Sequence, residues 1–96
     1  MLTDSLTEVS NRFAYIERMD GLLESTSTIS HSVQHAVYFL DLDRFKQIND
    51  TLGHAVGDTI LVEVAKRIKT LLKNKDIIAR YGGDEFIITL TNVKKC

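Results

Sequence analysis

The sequence has no proline and no tryptophan, a single cysteine and no excess of charge of either sign. Without proline, an internal repeat or a low-complexity tract, a collagen-like or compositionally biased chain is excluded. The one cysteine is the last residue, Cys96, so there is no disulfide framework and no Cys cluster for zinc or iron–sulfur. A reducing, cytoplasmic setting is the expectation. Twelve Lys and Arg against thirteen Asp and Glu leave a formal charge of −1, which removes the long-range field that a nucleic-acid polymer or an anionic membrane surface would engage. No apolar run approaches the roughly 20 residues of a membrane span. The opening Met1-Leu-Thr-Asp-Ser-Leu-Thr7 lacks the charged and apolar regions of a signal peptide. No direct membrane contact is therefore expected. What remains is a chain of 96 residues, 44% hydrophobic and 26% charged, which suits one small domain with one core. A domain of this size buries roughly 60 to 65% of the surface its unfolded chain exposes, so each element matters to stability.

The apolar pattern predicts five elements in an α+β order. Phe13, Ile16, Met19 and Leu23 recur at spacings of three and four, which predicts a helix from Ser10 to about Glu24 with that stripe as its buried face. Ser10 or Asn11 supplies the N-cap, and Gly21 weakens the last turns. Ser25 to Ser32 reads as a loop. Val37-Tyr-Phe-Leu40 is a β-branched and aromatic run whose unbroken apolarity suggests a strand covered on both faces. Asp41 to Asp50 leaves room for a turn or two of helix before Gly53. From Ala55 to Lys73 the set Val56, Ile60, Leu61, Val64, Ala65, Ile68, Leu71 and Leu72 predicts the strongest helix, its basic residues forming a solvated face that complements the helix dipole. Ile77 to Arg80 and Phe86 to Leu90 then read as a hairpin around Tyr81-Gly-Gly-Asp-Glu85.

This order leaves acids at two places, Asp41 and Asp43 after the first strand and Asp84 and Glu85 in the hairpin turn. If the last strand lies beside the first, the two groups meet. Two like charges 4 Å apart repel by about 4 kcal/mol at an effective dielectric of 20, and a divalent cation is a common way to offset this. Oxygen-only donors favour magnesium or manganese over zinc, and such ions commonly serve phosphoryl or nucleotidyl transfer. Acidic surface turns are also frequent without any metal. Neither the P-loop pattern nor G-x-G-x-x-G is present, so any phosphate cradle is of another kind. His31 and His35 sit four apart, but in a Ser/Thr-rich stretch with no evident third ligand.

Tyr81-Gly-Gly-Asp-Glu-Phe86 resembles the signature of the GGDEF family of diguanylate cyclases. Three further motifs stand in the family's order. Asp4-Ser-Leu-Thr7 with Asn11-Arg12 is similar to its D-x-L-T and N-R elements. Phe39-Leu-Asp-Leu-Asp-Arg-Phe-Lys-Gln-Ile-Asn-Asp50 resembles its central pattern, D, then I or L, then D-x-F-K-x-I-N-D, and Gly53-His54 with Gly57-Asp58 its G-H and G-D pairs. The similarity runs from about Asp4 to Leu90.

The resemblance implies a fold related to nucleotidyl cyclases and polymerase palm domains, in which two GTP molecules condense to cyclic di-GMP between two facing domains. It implies metal ligation by Asp41, Asp84 and the carbonyl of Leu42, with Asp84 or Glu85 helping to deprotonate the attacking ribose hydroxyl. Asn49 and Asp58 would read the guanine edge with His54 close by, since Asp58 can accept from guanine N1 and N2 while Asn49 offers both donor and acceptor. Backbone amides around Arg44, Phe45 and Lys46 would cradle phosphates. Gly82 and Gly83 would let the nucleotide approach the backbone. Phe45 and Ile48 are expected in the core. Taken alone, Asn49 could close a turn, Asp58 favour a helix start and His54 pack. The family's product-inhibition motif, R-x-x-D, stands here as Lys73-Asn-Lys-Asp76, and lysine lacks the planar fork of arginine. The family's domain continues well past this length. The expectation is therefore a truncated domain over residues 1–96 with weak or no activity alone and an unpaired strand edge. A non-catalytic GTP-binding module and a purely structural interaction fragment are the alternatives.

Overall fold

The computed structural model describes residues 2–29 and 34–93. Along the chain lie β1 (Ser10–Asn11), α1 (Arg12–Ile29), β2 (Ala36–Asp41), α2 (Phe45–Leu52), α3 (His54–Leu71), β3 (Ile77–Arg80) and β4 (Glu85–Leu90). The four strands form one sheet in the order β1-β3-β4-β2. β1 runs parallel to β3, while β4 is antiparallel to both β3 and β2.

The sheet is covered on both faces, and its two central strands alternate between the layers. Ile77, Ala79 and Ile87 pack with Tyr15 of α1 on one side. Ile78 and Phe86 pack with Phe45, Leu61, Ala65 and Val9 on the other. A strand buried on both faces needs no polar alternation, which accounts for the unbroken apolar runs in β3 and β4. Phe86, Leu61 and Thr89 are completely enclosed. Thr89 is tolerated there because its hydroxyl meets the Tyr15 hydroxyl at 2.8 Å.

The α3 helix and the β3–β4 hairpin fall where the pattern places them. Three expectations need correction. First, α1 runs on through Gly21 to Ile29, so residues 25–29 are helix rather than loop. Residues 30–33 of the expected loop, with His31, lie outside the described residues. Second, α1 turns a different face to the sheet. Ala14 and Tyr15 are buried, with Met19 packed against them, whereas Phe13, Ile16 and Leu23 are exposed. Tyr15, Met19 and Leu22 also follow a four-then-three spacing. Small Ala14 allows close approach, and the Tyr15 hydroxyl finds its partner on β4. Third, β2 is largely open to solvent rather than covered on both faces. Leu40 packs into the α3-side core, but Val37, Tyr38 and Phe39 are exposed, Phe39 by 69%. The expected unpaired edge is present among the described residues.

Asn11 is the N-cap of α1, its Oδ1 accepting the Ala14 N–H at 2.8 Å. Before it, Asp4 closes a turn that the pattern did not reveal. Its carboxylate accepts the Thr7 N–H at 2.9 Å and the Thr7 hydroxyl at 2.7 Å, and the turn buries Val9.

Candidate nucleotide and metal site

Pairing between β2 and β4 brings the two acidic groups together. Asp41 is the register partner of Glu85, and one residue further the Leu42 N–H donates to the Asp84 carbonyl at 3.2 Å. The chain then bends sharply into α2. Arg44 takes a left-handed conformation, φ 59°, at the helix start, an uncommon one for a residue other than glycine. Buried Phe45 anchors α2 in the core. Gly53, at φ 93°, separates α2 from α3 in a conformation that a side chain would resist. Its N–H donates to the Asn49 carbonyl at 2.9 Å. This break faces the second turn of α2 towards the first turns of α3.

A cleft of about 350 Å³ results, lined by Phe45, Lys46 and Asn49 of α2, His54, Asp58 and Leu61 of α3, and Arg80, Gly83 and Asp84 of the hairpin. Asp41, Leu42, Gly82 and Glu85 do not line it; Asp41 pairs with Glu85, and Leu42 with Asp84, across the strands beside it. Arg44 lies instead in a separate depression with Asp43, Gln47 and Ile48. Asn49 Oδ1 is buried without a hydrogen-bond partner. The two acids of the turn differ in placement. Asp84 lines the cleft, whereas the Glu85 side chain folds back over Gly82, where a Cβ would collide with its carboxylate. A Cβ at Gly83 would meet nothing within 4 Å, so that glycine leaves open room beside Asp84.

Among the described residues, no three His, Cys, Asp or Glu side chains converge as a metal cluster. The donors at this corner are two carboxylates and a backbone carbonyl. The Leu42 carbonyl accepts only a long bond from the Phe45 N–H, at 3.4 Å, which leaves it a lone pair. A set of hard oxygens with room for water and phosphate fits magnesium or manganese.

Arg80 escaped the sequence reading. Its Nε and Nη2 donate to the Gly83 carbonyl at 3.1 and 2.8 Å, and its Nη1 donates to both Asp4 oxygens at 3.3 Å. It thereby fastens the glycine turn to the N-terminal turn. Burial pushes the Asp4 pKa up, but the Thr7 hydrogen bonds and the Arg80 charge outweigh it and hold the carboxyl below its ordinary value. The available signal was Asp4 within D-x-L-T and Arg80 just before the hairpin turn, which no local pattern links. On the other face, Arg12 sits 4.3 Å over the Tyr81 ring, which meets Tyr15 and Phe39 edge-on.

Lys73 and Asp76 lie before β3, at the opposite end of that strand from the glycine turn. Asp76 Oδ2 accepts the Lys73 N–H at 2.9 Å, while Oδ1 accepts the Thr91 N–H and hydroxyl at 2.9 and 3.1 Å. Burial raises its pKa, and these bonds more than reverse the effect, leaving it below the usual value. His35 likewise serves the fold, its Nδ1 accepting the Asn92 N–H at 2.9 Å.

The sequence pattern of the diguanylate cyclase GGDEF domain matches residues 1–96. The chain belongs to the GGDEF family. Diguanylate cyclase TpbB of Pseudomonas aeruginosa is 51% identical over 87 residues, covering 91% of this chain and 20% of that protein. Diguanylate cyclase DgcP of Escherichia coli is 43% identical over 90 residues, 94% of this chain and 26% of its own length. A solved structure comprising only the GGDEF domain of the Pseudomonas aeruginosa protein called TpbB or YfiN superposes with a TM-score of 0.89 at 46% identity. It covers 97% of this chain, which spans 53% of that structure. This GGDEF chain thus spans about half of a solved GGDEF domain and about a fifth to a quarter of those curated relatives. Among its described residues no helix is long and apolar enough to cross a membrane.

Proposed function

We propose that this chain is the nucleotide- and metal-holding part of a diguanylate cyclase domain. Its parent condenses two GTP molecules into cyclic di-GMP with release of two pyrophosphates. The observation that supports this reading is the β2–β4 register, which pairs Asp41 with Glu85, the chain neighbour of Asp84 in the cleft that also holds Asn49, His54 and Asp58. Asp41, Asp84 and the Leu42 carbonyl would hold magnesium or manganese. Such an ion, when bound, neutralises phosphate charge and lowers the pKa of a ribose hydroxyl.

The chain's own groups supply binding and orientation. Asp58 accepts from the guanine N1–H and N2–H, and Asn49 hydrogen-bonds the same edge beside it, so that adenine, which presents an acceptor at N1, is disfavoured. His54 closes the cleft at the base. Lys46 and the backbone amides about Arg44, Phe45 and Lys46 balance phosphate charge. Gly82 and Gly83 keep the hairpin backbone accessible. The Asp84 carboxylate, or Glu85 after turning away from Gly82, accepts the proton of the 3′-hydroxyl that attacks the α-phosphate. That phosphate belongs to the GTP of a second GGDEF domain, so the working unit is a homodimer. Lys73 and Asp76 occupy the place of the product-inhibition motif, and two features weaken it as a product site. Lysine is not bidentate, and both Asp76 oxygens already serve the fold.

The test is calorimetry of GTP with this 96-residue chain, with and without magnesium, alongside Asp41→Asn and Asp84→Asn. Magnesium-dependent binding of GTP over ATP, lost in both variants, is the expected result. Binding that persists without magnesium or in both variants would overturn the assignment of these acids.

A further inference from the structure

Gly57 lies in the first turns of α3 and is buried against the second turn of α2. A Cβ placed on it would overlap Asn49 Oδ1, stand 2.9 Å from Asn49 Cγ and lie 3.2 Å from Phe45 Cζ. The Asn49 carboxamide thus fills the space that any other residue at 57 would claim. Its Oδ1 is enclosed and has no hydrogen-bond partner. Burying an amide oxygen without a partner is unfavourable. The amide nevertheless lines the cleft beside His54 and Asp58. Glycine is also a poor helix former, so retaining it inside α3 carries its own cost in helix propensity.

We infer that Gly57 is the positioning residue for nucleotide selection: by lacking a side chain it fixes the Asn49 carboxamide in the orientation that reads the base. This rests on the proposed reading of the cleft as a guanine site. A side chain at 57 would push the carboxamide out of its slot while leaving Asp58 and the metal-binding acids where they are. The main loss would then be discrimination at the purine edge.

The experiment is a double-mutant cycle of Gly57→Ala and Asn49→Ala, read by thermal unfolding without ligand and by calorimetry with GTP, ITP and ATP in magnesium. Asn49→Ala removes the atoms that a Cβ at 57 would strike, and Phe45 need give only by a few tenths of an ångström. Gly57→Ala should therefore lower the melting temperature in the wild-type background and raise it in the N49A background, where only helix propensity acts. In binding, Gly57→Ala should weaken GTP about tenfold and narrow its preference over ATP, whose 6-amino group stands where guanine offers an acceptor to the Asn49 amide N–H, as Asn49→Ala does, with ITP, which keeps that acceptor, following GTP; a tenfold loss corresponds to about 1.4 kcal/mol. It should add nothing once Asn49 is alanine. An equal effect of Gly57→Ala on melting in both backgrounds would overturn the positioning role. If Asn49→Ala leaves the GTP preference intact, or the wild-type chain binds no GTP, the guanine reading falls, and the nucleotide part of this inference with it. If Asn49→Ala abolishes the preference but Gly57→Ala does not, only the role of Gly57 falls.

Discussion

Replacing Asp4 by alanine should destabilise the chain by about 2 to 3 kcal/mol at neutral pH. The Asp4 carboxylate accepts two short hydrogen bonds from Thr7 and two long contacts from Arg80. Each Thr7 bond contributes about 1 kcal/mol net. The Arg80 pair, partly screened because the two side chains remain 20% and 19% exposed, adds roughly 0.5 to 1 kcal/mol. Asp4→Asn keeps an acceptor for Thr7 but loses the charge, and should cost about 1 kcal/mol. The pH dependence follows from the depressed carboxyl. In the folded state Asp4 binds its proton less readily than in the unfolded chain, so its contribution is complete above about pH 5 and is lost as pH falls through the folded value. Urea unfolding at pH 7 and at pH 3 measures this directly, with midpoints compared at a common slope. The gap between wild type and Asp4→Ala should narrow on acidification. A gap below about 0.5 kcal/mol at pH 7, the scale of an ordinary surface change, or one that stays constant down to pH 3, would refute the role given to this turn.

The contrast between faces is equally testable. Phe86→Ala, which empties a fully enclosed site, should cost about 3 to 5 kcal/mol and abolish cooperative melting, whereas Phe13→Ser and Ile16→Ser should each stay within about 0.5 kcal/mol. Gly82→Ala should displace the Glu85 carboxylate and weaken magnesium-dependent GTP binding several-fold with little change in melting temperature; unchanged binding by calorimetry would contradict the steric argument. Lys73→Arg restores the family's arginine but should not produce tight binding of cyclic di-GMP, because Asp76 is already committed to Lys73 and Thr91. A micromolar or tighter product complex by calorimetry would overturn that view.

Legibility in the sequence tracked how local each determinant was. The α3 helix and the hairpin were readable because Leu61 and Ala65 share a helical face and Gly82-Gly83 punctuates two β-favouring runs. The juxtaposition of Asp41 with the hairpin acids was legible only on the condition that the last strand lies beside the first, which the β2–β4 pairing fulfils. The face of α1 was not readable, because Phe13-Ile16-Met19-Leu23 and Tyr15-Met19-Leu22 are both helical stripes. What ranks them is the Thr89 hydroxyl on β4, far along the chain. The open faces of β2 were hidden for the same reason, since an apolar run does not say which layers cover a strand. β1 has only two residues and takes its identity from its partner β3. Arg80 and Asp4 meet across 76 positions, so neither signals the other.

The pairing of β2 with β4 also governs when the cleft comes into being. Asp41 and Glu85 face each other across strands separated in sequence by α2, α3 and β3, so their meeting closes a long loop whose entropy must be recovered by contacts made afterwards. The helical hairpin of α2 and α3 can form from neighbouring segments, whereas the acidic corner exists only once the two distant strands have zipped together. On the proposed reading, nucleotide captured there would be held by the completed sheet. Its binding free energy therefore adds to the stability of the whole domain, and amide protons along β2 and β4 should slow their exchange together when GTP and magnesium are added.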